Sequence, residues 1–83
     1  MNKKRRKNLE EIANQVEELR DRLQDILDEE EEAYENMPES LLNSERNCNM
    51  YDGISSMEES ISNLNDVANS LREIIDMWYE RRI

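Results

Sequence analysis

The sequence predicts an all-α protein, an antiparallel two-helix hairpin of the coiled-coil type that assembles into a four-helix bundle. Three observations support this fold class. Apolar residues recur in steps of three and four in both halves of the chain. The single proline, Pro38, lies between the two halves. Charged residues make up 39% of the chain, which has one Gly and no Phe, and this composition is typical of long helices.

The first helix is predicted over residues 3–37, because one heptad seam runs through this range with a single polar member, Glu30. The seam consists of Leu9, Ile12, Val16, Leu19, Leu23, Ile26, Glu30, Ala33 and Met37. A lone polar residue on a seam can set register or oligomer state, and near a turn it can instead reach water. Glu30 is therefore predicted either to set register or oligomer state, or to reach water.

Residues 38–43 are predicted to connect the helices. Pro38 lacks an amide donor and disfavours a helical conformation at Met37, so the first helix should end near that residue. Asn43 or Ser44 is suited to cap the next helix, because a short side-chain oxygen accepts hydrogen bonds from free backbone amides.

The second helix is predicted over residues 44–81, and all of residues 1–83 form one domain. Its seam consists of Met50, Ile54, Met57, Ile61, Leu64, Ala68, Leu71, Ile75 and Trp78. If the chain folds back at the connector, positions whose numbers sum to 87 face each other, such as Leu19 and Ala68. Trp78 is then a core anchor, with a ligand platform as the alternative.

Apolar residues beside the seams widen the stripe beyond what a two-helix pair covers. A hairpin of this size buries little surface by itself. We therefore predict a homodimer, with a groove that accepts another protein as the alternative. The predicted oligomer interface consists of Leu27, Tyr34, Val67 and Ile74, and Ala13 also lies beside the seam.

The net charge of -10 disfavours binding of a phosphate backbone by the whole surface, so direct binding of duplex nucleic acid is not expected. The acid run, defined as residues 28–32 continued by Glu35 and Glu39, is either a solvated helix surface or a mimic of nucleic acid that docks on a basic protein. Without His, the chain lacks the ligands of a dinuclear bundle site, and Cys48 has no partner for catalysis. No metal, cofactor or catalytic residue is expected.

Basic residues concentrate at the chain ends, which a hairpin brings together at one pole. This basic pole consists of Lys3, Lys4, Arg5, Arg6, Lys7, Arg81 and Arg82. It is either a solubilising start or a contact for an anion, such as a nucleotide or the acidic end of another subunit. The sequence shows no signal peptide and no apolar segment long enough to cross a membrane, so a cytoplasmic protein is expected.

The connector carries a resemblance to known proteins. The segment Tyr34–Leu41 reads YENMPESL and is followed by Ser44-Glu45-Arg46, while the chain opens with MNKKRRK. This pattern resembles small acidic helical proteins of bacteriophages and prophages. The resemblance implies an accessory protein of a mobile element that acts in a bacterial host cell. The segments Asn47–Asn49 and Met77–Tyr79 are individual features of this chain.

The predicted function is that of a non-enzymatic interaction protein that binds and blocks a host component, as an anti-CRISPR-like or nucleic-acid-mimicking inhibitor of host defence. One alternative is an oligomeric sponge that sequesters a nucleotide immune signal. Another is a structural or regulatory coiled coil of the phage. The predicted partner-binding residues lie around the connector: Glu35, Glu39, Ser44, Arg46, Asn47 and Tyr51.

Overall fold

The computed structural model describes residues 1–41 and 44–80. Two long helices, α1 (Lys3–Glu35) and α2 (Glu45–Glu80), pack antiparallel as a hairpin 63 Å long. A short 3-10 helix, Glu39–Leu41, lies between them. The described residues contain no strand. The predicted antiparallel helical hairpin is therefore confirmed.

Helix α1 is delimited by asparagines at both ends. The side chain of Asn2 caps its start, because its Oδ1 accepts a hydrogen bond from the amide of Arg5 at 2.8 Å. At the other end, the amide of Met37 donates to the carbonyl of Tyr34 at 3.2 Å. This three-residue bond tightens the last turn. The helix ends at Glu35, with Asn36 as its C-cap, and so stops two residues before the predicted end.

The connector turns the chain through two local sets of hydrogen bonds. The amide of Leu41 donates to the carbonyl of Pro38 at 2.9 Å and closes the 3-10 turn. Ser44 Oγ donates to the carbonyl of Leu41 at 2.6 Å and accepts from the amide of Asn47 at 3.3 Å. Ser44 therefore caps α2, as the sequence allowed. The predicted connector residues 42 and 43, and residue 81 at the predicted helix end, lie outside the described residues.

The seam of α2 lies against α1 as predicted. Ile54, Ala68 and Ile75 are buried, with 9%, 3% and 4% of their surface exposed. The other six seam residues are half-buried: Met50, Met57, Ile61, Leu64, Leu71 and Trp78.

The seam of α1 differs from the prediction. Ile12, Leu19 and Ile26 were expected in the core but are 46%, 51% and 54% exposed. Their sequence neighbours Ala13 and Leu27 are instead buried, at 0% and 4% exposed. Because successive residues are about 100° apart around a helix, α1 is rotated by up to about one residue's angle from the predicted orientation.

Polar bonds on one flank of the hairpin accompany this rotation. Arg20 Nη1 donates to Asn65 Oδ1 at 2.9 Å, and Arg72 Nε donates to Glu17 Oε1 at 2.9 Å. Arg72 Nη2 also donates to Asn14 Oδ1 at 2.7 Å. These bonds draw the Ala13 side of α1 toward α2, and the small Ala side chains allow close approach. The residue numbers of the three bonded pairs sum to 85, 89 and 86, which bracket the sum of 87 predicted for facing positions.

Candidate interaction surfaces

One long side of the hairpin is apolar, whereas the opposite flank is closed by the polar bonds of Arg20 and Arg72. Helical geometry places the apolar residues that precede Ala13 and Leu27 in sequence on the open side. This apolar face consists of the exposed Ile12, Leu19, Ile26 and Val67 and the half-buried Leu9, Val16, Leu23, Met50, Met57, Leu64, Leu71, Ile74 and Trp78. The chain itself leaves this stripe open along both helices.

The predicted oligomer residues fall in two places. Val67 is 47% exposed and lies with the half-buried Ile74 on the apolar face. Leu27 is 4% exposed and belongs to the core of the hairpin, so it does not offer its surface to a second chain. Tyr34 packs against Tyr51 across the hairpin, with ring centroids 6.4 Å apart and planes tilted by 48°. The rotation of α1 explains why Leu27 and Tyr34 face α2.

An open groove lies at the connector end. This connector groove is lined by Glu30, Glu45, Arg46, Asn49, Met50, Gly53 and Met57. Its lining combines two methionines with three charged side chains and one amide. Arg46 and Met50 also line a second, smaller groove with Met37 and Pro38. Arg46 is therefore placed between two recesses that border the turn.

The seam layers nearest the turn form the connector groove. Met57 was predicted to face Glu30, and Glu30 was expected either to set register or to reach water near the turn; in the structure both residues line an open recess. Sequence reasoning named only Arg46 of this set as a binding residue. The sequence feature that could have indicated the groove was Gly53, the single glycine of the chain. In the structure, a Cβ at this position would meet nothing within 4 Å. A helical residue without a side chain leaves a recess beside its neighbours.

The remaining predicted partner-binding residues have different environments. Glu35, Glu39 and Tyr51 are exposed but do not line either connector recess. Ser44 is half-buried and caps α2. Asn47 is only 9% exposed, because it falls one heptad before the buried Ile54. The structure therefore does not bring the predicted set together as one surface.

Charge is distributed unevenly along the hairpin. Residues 21–66, which form the connector half, contain 14 acidic and 2 basic residues, whereas the rest of the chain contains 7 acidic and 9 basic ones. Within the acid run, Glu30 and Glu31 are half-buried and the other carboxylates are exposed. In the part of the chain that the structure describes, no basic side chain forms an ion pair with this run. Its charge is available to a partner.

The basic pole presents four exposed cations: Lys3, Lys4, Arg5 and Lys7. Arg6 is only 6% exposed, and it lines an open recess together with Lys3, Lys7 and Glu10. Its assignment as an anion contact stays a prediction. Loss of hydration, followed by the positive charges of Arg5 and Arg6, lowers the pKa of the Met1 amino group below its ordinary value of 8.0. Arg81 and Arg82 lie outside the described residues.

Neither a metal cluster nor a membrane-spanning helix is seen in the described ranges, 1–41 and 44–80. No group of three or more His, Cys, Asp or Glu side chains there is arranged to hold a metal ion. No helix there is long and apolar enough to span a bilayer. Cys48 is exposed and is not in a disulfide.

No protein-family model, curated protein or solved structure matches the chain significantly. The resemblance to small phage and prophage proteins stays a prediction.

Proposed function

We propose that the chain is a non-enzymatic interaction protein of phage type that binds and blocks a host protein in the bacterial cytoplasm. The observation that carries this proposal is the connector groove, an open recess lined by two methionines and by charged residues in the strongly acidic half of the hairpin. Two such hairpins act together as a homodimer in the form of a four-helix bundle.

The lining of the connector groove suits a protein partner. Protein interfaces combine apolar and polar contacts, and here Met50 and Met57 supply apolar groups while Glu30, Glu45 and Arg46 supply polar ones. Methionine side chains are flexible and adapt to the shape of an incoming residue. The groove therefore offers a partner both an apolar contact and directional polar contacts.

The charge around the groove indicates the kind of partner. An acidic surface attracts basic proteins and speeds their association. A host protein whose basic site holds nucleic acid fits this surface, and occupation of that site would exclude the nucleic acid. This is the action expected of an anti-defence inhibitor.

The first test compares two charge-neutral double variants. Glu30→Ala with Arg46→Ala alters the connector groove, whereas Glu18→Ala with Arg22→Ala removes the same charges from exposed positions on the back of α1. Arg46, Glu18 and Arg22 are exposed, and Glu30 is half-buried with no ion pair among the described residues, so neither variant should change the melting curve much. We expect the groove variant alone to lose a host protein that the native chain captures from a bacterial lysate.

The second test asks whether capture blocks function. Fluorescence anisotropy of labelled nucleic acid on the captured protein should fall as the native chain is added, and reach its baseline near stoichiometric addition. The Glu18/Arg22 control should displace the nucleic acid equally well, and the Glu30/Arg46 variant should not. Equal displacement by both variants, or a captured protein that keeps its nucleic acid, contradicts the proposal.

The four exposed cations of the basic pole favour the nucleotide sponge as a second candidate. A ligand that binds only the folded state raises thermal stability, by about 2.7 kcal/mol at one hundred times its Kd. A sponge would melt at higher temperature with a cyclic dinucleotide, and would lose this shift when Lys3, Lys4, Arg5 and Lys7 become Gln. A structural coiled coil would show neither this shift nor capture of a host protein.

A further inference from the structure

We infer that the apolar face is the contact with a second copy of this chain, and that the two copies pack antiparallel about a twofold axis that passes beside Leu19. This inference rests on the homodimer of the proposed function, but not on any action against a host protein. It assigns the face, the direction and the register of that dimer.

The hairpin leaves most of its large apolar side chains partly exposed. The buried apolar residues in the described chain are five, and two of them are Ala. One long side of the molecule has an outline of 63 Å by 15 Å between Cα extremes, about 900 Å², which is the same scale as the ~800 Å² of accessible surface that each partner buries in a stable interface. A second copy can cover this side completely.

The exposed residues of α1 have the spacing that a twofold contact needs. Ile12, Leu19 and Ile26 are seven residues apart, and Leu19 is the midpoint of α1 (Lys3–Glu35). In a twofold interface, residue i contacts residue j of the copy and j contacts i. An antiparallel pair centred on Leu19 places Ile12 against Ile26 of the copy and overlaps the two helices over their full length.

On the apolar face, the exposed residue of α2 is Val67, which lies at the same level; Tyr51 and Met77 of α2 are also exposed but do not belong to this face. The bonds from Arg20 to Asn65 and from Arg72 to Glu17 fix the register of the hairpin. Val67 lies between the two bonded α2 residues and is therefore beside Leu19. On the apolar face, Val67 is thus level with the central exposed residue of α1, Leu19. A twofold axis that crosses the hairpin there stacks α1 on α1 and α2 on α2.

The charges select the antiparallel direction. Pairing about Leu19 places residues 3–7 at the level of residues 31–35 of the copy. The first range contains the exposed Lys3, Lys4, Arg5 and Lys7, and the second contains Glu31, Glu32 and Glu35. A parallel pair would instead place the acid run beside its own copy. In such an interface the apolar contact provides most of the affinity, and charge complementarity chooses the orientation.

The first experiment is sedimentation equilibrium of the full chain and two lysine variants. The native chain should sediment as a dimer of the 10.0 kDa chain, and Leu19→Lys should reduce the mass to that of one chain. Gln24→Lys is the matched control, since it adds the same charge at an exposed site on the polar side, and should stay dimeric. A native monomer, or a Leu19→Lys dimer, overturns the inference. Circular dichroism confirms that each variant stays helical.

The second experiment reads direction and register by disulfide crosslinking, with Cys48 replaced by Ser. Leu19→Cys should form a covalent dimer with itself. In an antiparallel dimer, two copies of Ile12→Cys, or two copies of Ile26→Cys, lie 14 residues apart along the helix, about 21 Å, so neither variant should crosslink alone. A mixture of the two variants should crosslink. Ile12→Cys linked to itself indicates a parallel dimer, and Gln24→Cys linked as readily as Leu19→Cys indicates another face. Either result overturns the inference, while loss of host capture does not affect it.

Discussion

Replacing Leu27 with Ala should destabilise the hairpin far more than replacing its neighbour Ile26 with Ala. Leu27 is 4% exposed and Ile26 is 54% exposed, so the two substitutions remove similar groups from different environments. Three buried methyl or methylene groups correspond to about 2.4 kcal/mol of transfer free energy. Core Leu→Ala substitutions cost about 2–5 kcal/mol, and the open sides of a two-helix core can partly collapse. We expect a loss of about 2–3 kcal/mol for Leu27→Ala.

The corresponding loss for Ile26→Ala is smaller for two reasons. Less than half of the Ile26 side chain is covered, so the transfer free energy lost is about 1 kcal/mol. Ala also has the higher helix propensity, which returns about 0.5 kcal/mol. We expect a net loss of about 0.5 kcal/mol in the isolated hairpin.

Urea denaturation followed by circular dichroism at 222 nm measures both losses. The measurement belongs in a Leu19→Lys background, where the inferred dimer contact is absent and only the hairpin contributes. Leu27→Val provides a milder change with an expected loss of about 1 kcal/mol, should the Ala variant unfold outright. Equal losses for Leu27→Ala and Ile26→Ala would show that α1 does not have the observed rotation.

Two further substitutions test individual features of the hairpin. Gly53→Ala should raise the free energy of unfolding by about 0.5–1 kcal/mol, because a Cβ there meets nothing within 4 Å and Ala is the better helix former. A lower urea midpoint would mean that other atoms of the protein closely approach the backbone at Gly53. Glu17→Gln removes the ion pair with Arg72, whose Nη2–Oε1 distance is 2.8 Å. Since both side chains are more than a third exposed, the loss should stay below about 1 kcal/mol and shrink in 1 M NaCl. A larger loss that does not depend on salt would be inconsistent with an exposed pair.

The elements of this fold follow from local features of the chain. Nine seam positions in each half predicted both helices, and Pro38 predicted the turn. The ends were less accurate, since α1 stops at Glu35 rather than residue 37. That difference arises because the residues before Pro38 close a tighter turn through the amide of Met37.

The binding surfaces were less predictable than the helices. Arg46 was identified from its position beside the turn, and the structure places it at a groove. Asn47 and Arg6 were expected at contact surfaces but are buried. Arg6 was identified from the basic cluster and Asn47 from its position beside the connector, whereas each lies one heptad before a buried residue, Ala13 and Ile54 respectively. Periodicity was the better guide for both residues.

The sequence alone determined that two amphipathic helices form and fold back on each other, because periodicity, capping and the proline act within a few residues. It did not determine which side of α1 faces α2. This helix has apolar residues in three adjacent columns, represented by Leu23, Ile26 and Leu27, and one neighbouring helix can cover two of them. Only the tertiary structure decides the choice, through close packing at Ala13 and the reach of Arg20 and Arg72 across the hairpin. The third column, that of Ile12, Leu19 and Ile26, is thereby left exposed.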